Sequence, residues 1–177
     1  LGDIINAEPV VVNYSGNVPI IFQGANDGML HVVDGRTDAS VPTRGQELWA
    51  YVPKMLHADL YRLPDPAYTH RYFIDGTPAA AEVTGFSFSR ILAGGLGKGG
   101  RGYYALNISS YDAANEAAAA SKVLWEFSPS GMGYSFGTPL IVKTAAGWRV
   151  VVTSGYDASV SGQVWVLDPA SGAVLAS

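Results

Sequence analysis

Residues 20–34 read IIFQGANDGMLHVVD, residues 91–107 read ILAGGLGKGGRGYYALN, and residues 150–168 read VVVTSGYDASVSGQVWVLD. Each string joins an apolar run ending near glycine to a glycine-containing link and a second apolar run ending in Asp or Asn. The flanks repeat too. Glu8-Pro9-Val10-Val11, Thr77-Pro78-Ala79-Ala80 and Thr138-Pro139-Leu140-Ile141 precede the strings. Glu47-Leu48-Trp49-Ala50-Tyr51, Val123-Leu124-Trp125-Glu126-Phe127 and Ala173-Val174-Leu175-Ala176 follow them. A repeat of four strand-like runs is the signature of a propeller blade. The expected fold is therefore all-β: a β-propeller segment of about three four-stranded antiparallel blades with short helical insertions.

The opening prolines Pro9, Pro78 and Pro139 lie 69 and then 61 residues apart. A plain blade takes about 40–50 residues, so the repeat carries insertions. The blade-like units span about 1–52, 73–128 and 134–177, with helical insertions at about 53–72 and 109–122. Lys54–Tyr61 has helical periodicity, and Ala-rich Asp112–Ala120 has high helix propensity.

Apolar residues make up 48% of the chain and charged residues only 15%, a composition that excludes disorder. Twenty-one glycines and ten prolines among short apolar runs suit a turn-rich β protein. A net charge of −4 without a Lys/Arg cluster argues against a nucleic-acid surface. No run approaches the roughly 20 apolar residues of a membrane span. With no cysteine there is neither a disulfide nor a thiolate metal site. The start at Leu1, without Met or a secretory signal, reads as a piece of a longer precursor.

Ile20-Ile21-Phe22, Leu30-His31-Val32-Val33 and Val150-Val151-Val152 lack the alternation of a half-wet sheet, as expected where blades stack on both faces. Asn26-Asp27-Gly28 and Asp168-Pro169-Ala170-Ser171-Gly172 read as turns. Asp34, Asn107 and Asp168 occupy one repeat position and are expected to hydrogen-bond their own turns. Three blades on their own leave two apolar faces and unpaired edges, which favours self-association.

Candidate chemistry is thin. Gly94–Gly102 resembles a phosphate-cradling loop, but such loops need a helix N-terminus behind them. Tyr103–Asn107 reads instead as a strand, so the string is expected to be a glycine-permitted hairpin at a solvated rim, with Lys98 and Arg101 able to meet an anion. His31 sits inside a strand and reads as a satisfied core residue. His57 and His70 lie in or beside the first insertion, where Asp59, Asp65 or Asp75 would supply oxygen if they converged on a metal; no HExxH-type spacing supports this. Asn26-Asp27-Gly28 and Asp34–Asp38 are too sparse for a calcium loop, and no nucleophile elbow is present. The aromatic residues read as inter-blade packing. No catalytic, cofactor-binding or metal residue is assigned.

The ordered strings Leu1–Asn6, Gly24–His31, Glu47–Pro53, His70–Gly76, Gly94–Asn107 and Gly133–Pro139 together resemble the C-terminal propeller of the PilY/PilC proteins, the type IV pilus tip-associated adhesins and biogenesis proteins. The resemblance runs over almost the whole chain, and GGLGKGGRGYYALN is its most specific part. It implies a quinoprotein-like propeller without catalysis, in a protein exported to the periplasm, outer membrane or cell surface. Its implied role is pilus assembly, twitching motility and surface adhesion. The implied partners are pilins, minor pilins and possible host surfaces. The calcium loop of the family would lie beyond Ser177, so no cofactor is expected in this segment. The Pro53–Tyr72 insertion is expected to be a rim loop removable without unfolding. Two competing functions are a quinone-dependent dehydrogenase on the same scaffold and a periplasmic assembly scaffold unrelated to pili.

Overall fold

Twelve short strands separated by Gly- and Asx-rich turns pair with their sequence neighbours within each sheet, because links of two to fifteen residues leave antiparallel hairpins as the nearest solution. The computed structural model describes residues 2–159 and 161–177. It contains three four-stranded antiparallel sheets. The first holds β1 (Val10–Tyr14), β2 (Val18–Gly24), β3 (Leu30–Asp34) and β4 (Glu47–Tyr51). The second holds β5 (Ala79–Glu82), β6 (Arg90–Gly95), β7 (Tyr103–Asn107) and β8 (Val123–Phe127). The third holds β9 (Leu140–Thr144), β10 (Gly147–Thr153), β11 (Val164–Leu167) and β12 (Val174–Ala176). Strand order follows the chain in every sheet, and the first strand of the middle sheet, β5, approaches both β1 and β9. This is the up-and-down order of propeller blades around an inner edge.

The sequence repeat is also a register repeat. The pairing of third and fourth strands shifts at Val32/Val33, Ala105/Leu106 and Val166/Leu167. A bulge at one place in all three blades twists each outer strand alike. It sets Trp49 opposite Val32 and Trp125 opposite Ala105; Ala176 occupies that place opposite Val166. The two tryptophans then tie each blade to the next. The Trp49 indole N–H donates to the Tyr111 carbonyl (2.7 Å), and the Trp125 indole N–H donates to that of Pro169 (3.0 Å).

Two apolar cores fill the gaps between blades. Ile20, Phe22, Leu30 and Val32 pack toward Leu92, Tyr104 and Leu106; Ile91, Ala93, Tyr103 and Ala105 pack toward Val150, Val152, Trp165 and Leu167. The period of two sends alternate residues of β6 and β7 into opposite cores, so the middle blade is buried on both faces. The flanking blades are not. In β2 and β3 buried and half-buried positions alternate, and Val11, Leu140, Val164, Val174 and Leu175 are exposed. Continuous burial thus holds for one blade of three, because only that blade has two neighbours.

The expected helix at Lys54–Tyr61 is instead two separate 3₁₀ turns, Lys54–Leu56 and Leu60–Arg62. Pro53 precedes the first, and the Glu126 carboxylate from the next blade accepts from the amides of Lys54 (2.6 Å) and Met55 (3.1 Å). Leu56 is buried in the first core, with Met55, Leu60 and Leu63 packed against it. Removing Pro53–Tyr72 would therefore open that core, which corrects the expectation of a dispensable loop. The second insertion carries α1 (Glu116–Ala120), capped by Asn115, whose side chain accepts from the Ala118 amide (3.0 Å). This helix packs over β4.

Candidate functional site: the connector rim

At one rim of the blades, the connector between second and third strands meets the linker that leads into the following blade. The linker Phe73–Gly76 lies between two connectors. The Phe73 amide donates to Asn26 Oδ1 (3.0 Å) and the Ile74 amide to the Ala25 carbonyl (3.3 Å) on one side. The Asp75 amide donates to the Leu96 carbonyl (3.1 Å) on the other. The next linker repeats the grip: the Ser135 amide donates to Gly100 O (3.1 Å), and the Gly133 and Tyr134 amides donate to Ser154 O (2.7 Å) and Tyr156 O (2.9 Å).

The glycine string is the contact surface of this grip. A Cβ on Gly99 would stand 1.9 Å from the Phe73 carbonyl oxygen, and one on Gly155 would stand 1.7 Å from that of Tyr134. Only glycine lets these backbones meet. The 3₁₀ turn Gly97–Gly99 leads through Gly100–Gly102 into β7, so the string is followed by a strand and not by a helix. Ser135, fully buried, completes it: its hydroxyl accepts from the Leu96 amide (3.0 Å) and donates to the Gly102 carbonyl (2.8 Å). The string packs against the linkers on both sides.

The outer surface of this rim holds two adjoining depressions that share His70. One, about 530 Å³, is bordered by Asp3, Asn26, Asp27, Met29 and Tyr68. His70 pairs there with Asp3 (2.9 Å), and that hydrogen bond is the main reason the Asp3 carboxyl lies below its ordinary range. The other is a groove of about 760 Å³ between the first insertion, the glycine connector and the linker into the third blade. Its floor and walls alternate cations with aromatic rings. The Lys98 ammonium stands 4.2 Å from the Tyr72 ring centroid, and the Arg101 guanidinium stands 5.2 Å from that of Tyr134. Arg101 also pairs with Asp157. The Ser159 hydroxyl and amide, and then Arg101, hold the Asp157 carboxyl below its ordinary range. Phe136 and Tyr156 are exposed beside them.

The other candidate residues do not converge. His57 is exposed on the first insertion, Asp59 pairs with Arg62 (2.8 Å), and Asp65 accepts from the Ala67 amide (2.9 Å). Asp75 is buried and accepts from the backbone and side-chain amides of Asn6. Among the described residues no group of three or more His, Cys, Asp or Glu is placed to hold a metal ion. His31 is not a core residue. It lies half-buried between Asp27 (3.0 Å) and Glu47. Burial opposes its charge, but the two carboxylates outweigh burial and raise its pKa. Asp34, Asn107 and Asp168 each close a turn, accepting from the amides of Arg36, Ser109 and Ala170 (all 3.0 Å). Asp34 goes further: the Arg36 guanidinium clasps it and holds its carboxyl well below the usual range. The aromatic groove escaped the sequence reading. Tyr134 and Phe136 in GYSFG and Tyr156 in SGYD lie outside the strand runs, and that placement was the available signal.

A family model described as the PilY1 beta-propeller domain matches residues 10–166, across all three blades and both linkers. The chain belongs to the PilY1 β-propeller family. A PilY1 homolog of Xylella fastidiosa named a type IV pilus biogenesis factor is 39% identical over 78% of this chain. The type IV pilus biogenesis factor PilY1 of Pseudomonas aeruginosa is 31% identical over 98% of it. The chain spans only 9% and 16% of the length of these two relatives. Among solved structures, the crystal structure of the Pseudomonas aeruginosa PilY1 C-terminal domain superposes with a TM-score of 0.63 at 30% identity. That match covers 89% of this chain and 29% of the other. The PilY1 propeller fold is thus shared in sequence and in three dimensions. No helix among the described residues is long and apolar enough to cross a membrane.

Proposed function

We propose that this PilY1-family segment is a non-catalytic propeller module of a type IV pilus biogenesis protein, acting outside the cytoplasm in pilus assembly, twitching motility and surface adhesion. The observation that carries the reading is the family match across 157 residues, 10–166, with relatives named as pilus biogenesis factors and not as enzymes. The architecture supports it: blades locked by backbone contacts make a rigid platform, and side chains free to meet pilins or minor pilins are left on the rim. The test is a native-locus variant carrying charge reversals at Arg71 and Lys98, both exposed. Sheared surface pili and twitching zones should fall while the protein stays at wild-type abundance. Normal piliation and twitching would overturn a role for this rim. Quinone turnover in the presence of calcium would overturn the non-catalytic reading.

A further inference from the structure

We infer that the groove between the first insertion and the glycine connector is a docking site for an acidic peptide segment bearing apolar side chains. This deepens the proposed function, resting on the reading that the rim meets partners. The chain as a whole carries a net charge of −4, yet Arg71, Lys98 and Arg101 converge on this groove. The one carboxylate lining it, Asp59, is already bridged to Arg62. Among the described residues neither Arg71 nor Lys98 has a carboxylate within ion-pair distance. A cation-rich groove on an acidic protein selects an acidic partner by charge.

The aromatic rings decide what kind. Phe136 is 52% exposed and Tyr156 67% exposed, each presenting a ring face that an apolar side chain can cover. Asp59 in the groove and Asp157 beside it are both held by arginines, and the remaining side-chain acceptors include the neutral hydroxyls of Tyr72, Tyr134 and Tyr156. A neutral saccharide would leave the Arg71 and Lys98 charges unmatched; an acidic peptide brings carboxylates to them and apolar side chains to the ring faces. The observations fit the peptide. Lys98 remains available while seated over Tyr72, because a cation–π contact leaves its N–H donors free.

The test is fluorescence anisotropy on residues 1–177, using a fluorescein-labelled dodecapeptide of three Asp-Phe-Glu-Leu repeats. A Lys-Phe-Lys-Leu counterpart and an oligogalacturonate of matched charge serve as the other probes. The acidic peptide should bind saturably, and several-fold more weakly when salt is raised from about 50 to about 500 mM, because such pairs are screened. The double variant Arg71→Glu/Lys98→Glu should weaken it at least tenfold, and Phe136→Ala severalfold, with unchanged circular dichroism and melting. Equal binding of the basic peptide or of the oligogalacturonate, or undiminished binding by the double variant, would overturn the inference. The two readings fail separately. Lost peptide binding with normal piliation at the native locus supports the groove and removes its pilus role. Lost piliation with undiminished peptide binding does the reverse.

Discussion

Replacing Gly99 by alanine isolates the backbone grip between connector and linker. The new Cβ would lie 1.9 Å from the Phe73 carbonyl oxygen, 2.3 Å from its carbon and 2.5 Å from its Cα. All three atoms are backbone, so no side chain can rotate away. Carbon atoms sit comfortably at about 3.5–4.0 Å, and even a tight contact requires the two segments to part by about 1 Å. Parting them stretches the bond from Asp75 N to Leu96 O (3.1 Å) beyond hydrogen-bond range. The lost bond costs about 1 kcal/mol net, more where the group stays buried, and overpacking adds about 1–3 kcal/mol. The expected loss is therefore about 2–4 kcal/mol. Urea unfolding followed by tryptophan fluorescence reads this as a midpoint shift of roughly 1–2 M at an m-value of about 2 kcal/mol/M. The control is Gly16→Ala in the β1–β2 turn, where φ is +80° and nothing lies within 4 Å of the new Cβ. That variant suffers only the left-handed backbone strain of about 1–2 kcal/mol. A Gly99→Ala shift no larger than that of Gly16→Ala would refute the steric account of the glycine string.

Four further outcomes rest on the same geometry. Ser135→Ala removes the hydroxyl's bonds to the Leu96 amide and Gly102 carbonyl, which keep their bond to each other (3.2 Å), and should cost about 0.5–1.5 kcal/mol by thermal melting. Trp125→Phe removes the indole donor to Pro169 and should cost about 1–2 kcal/mol in the same assay, with the blades still paired by circular dichroism. His31 has a folded-state pKa raised above its ordinary 6.5, so its ion-pair stabilisation is complete below that pH and is lost as pH rises through the folded value. Stability should therefore decline across neutral pH by an amount that His31→Gln removes, as measured by urea midpoints between pH 5.5 and 8.5. Finally, exposed Val11, Leu140, Val164 and Val174 should drive association of residues 1–177; light scattering should give a multiple of the monomer mass, and a strictly monomeric mass would count against it.

The architecture was legible because a propeller repeats. Trp49 and Trp125 mark one register position, and Asp34, Asn107 and Asp168 mark another; both recur with the same backbone partners in space. The glycine string was legible as a connector, but its close contact with Phe73 was not, since that packing joins residues 26 positions apart. The first insertion shows why local periodicity misleads. Lys54–Tyr61 has helical spacing, yet Leu56 is drawn into the core and Glu126 caps a single turn, so tertiary contacts select two 3₁₀ turns. His31 was misplaced for a related reason: its strand has only one buried face, and the histidine lies on the other, between carboxylates. The groove draws on four segments spread from Asp59 to Tyr156, and no local pattern joins them.

A role of this rim in pilus biogenesis is open to direct measurement. The most direct measurement compares surface pilin, recovered by shearing, between the wild-type strain and one carrying Arg71→Glu/Lys98→Glu at the native locus, with total pilin and variant protein held equal. A clear loss of sheared pilin is expected in the variant, restored by the wild-type gene in trans. Equal sheared pilin in the two strains would contradict it.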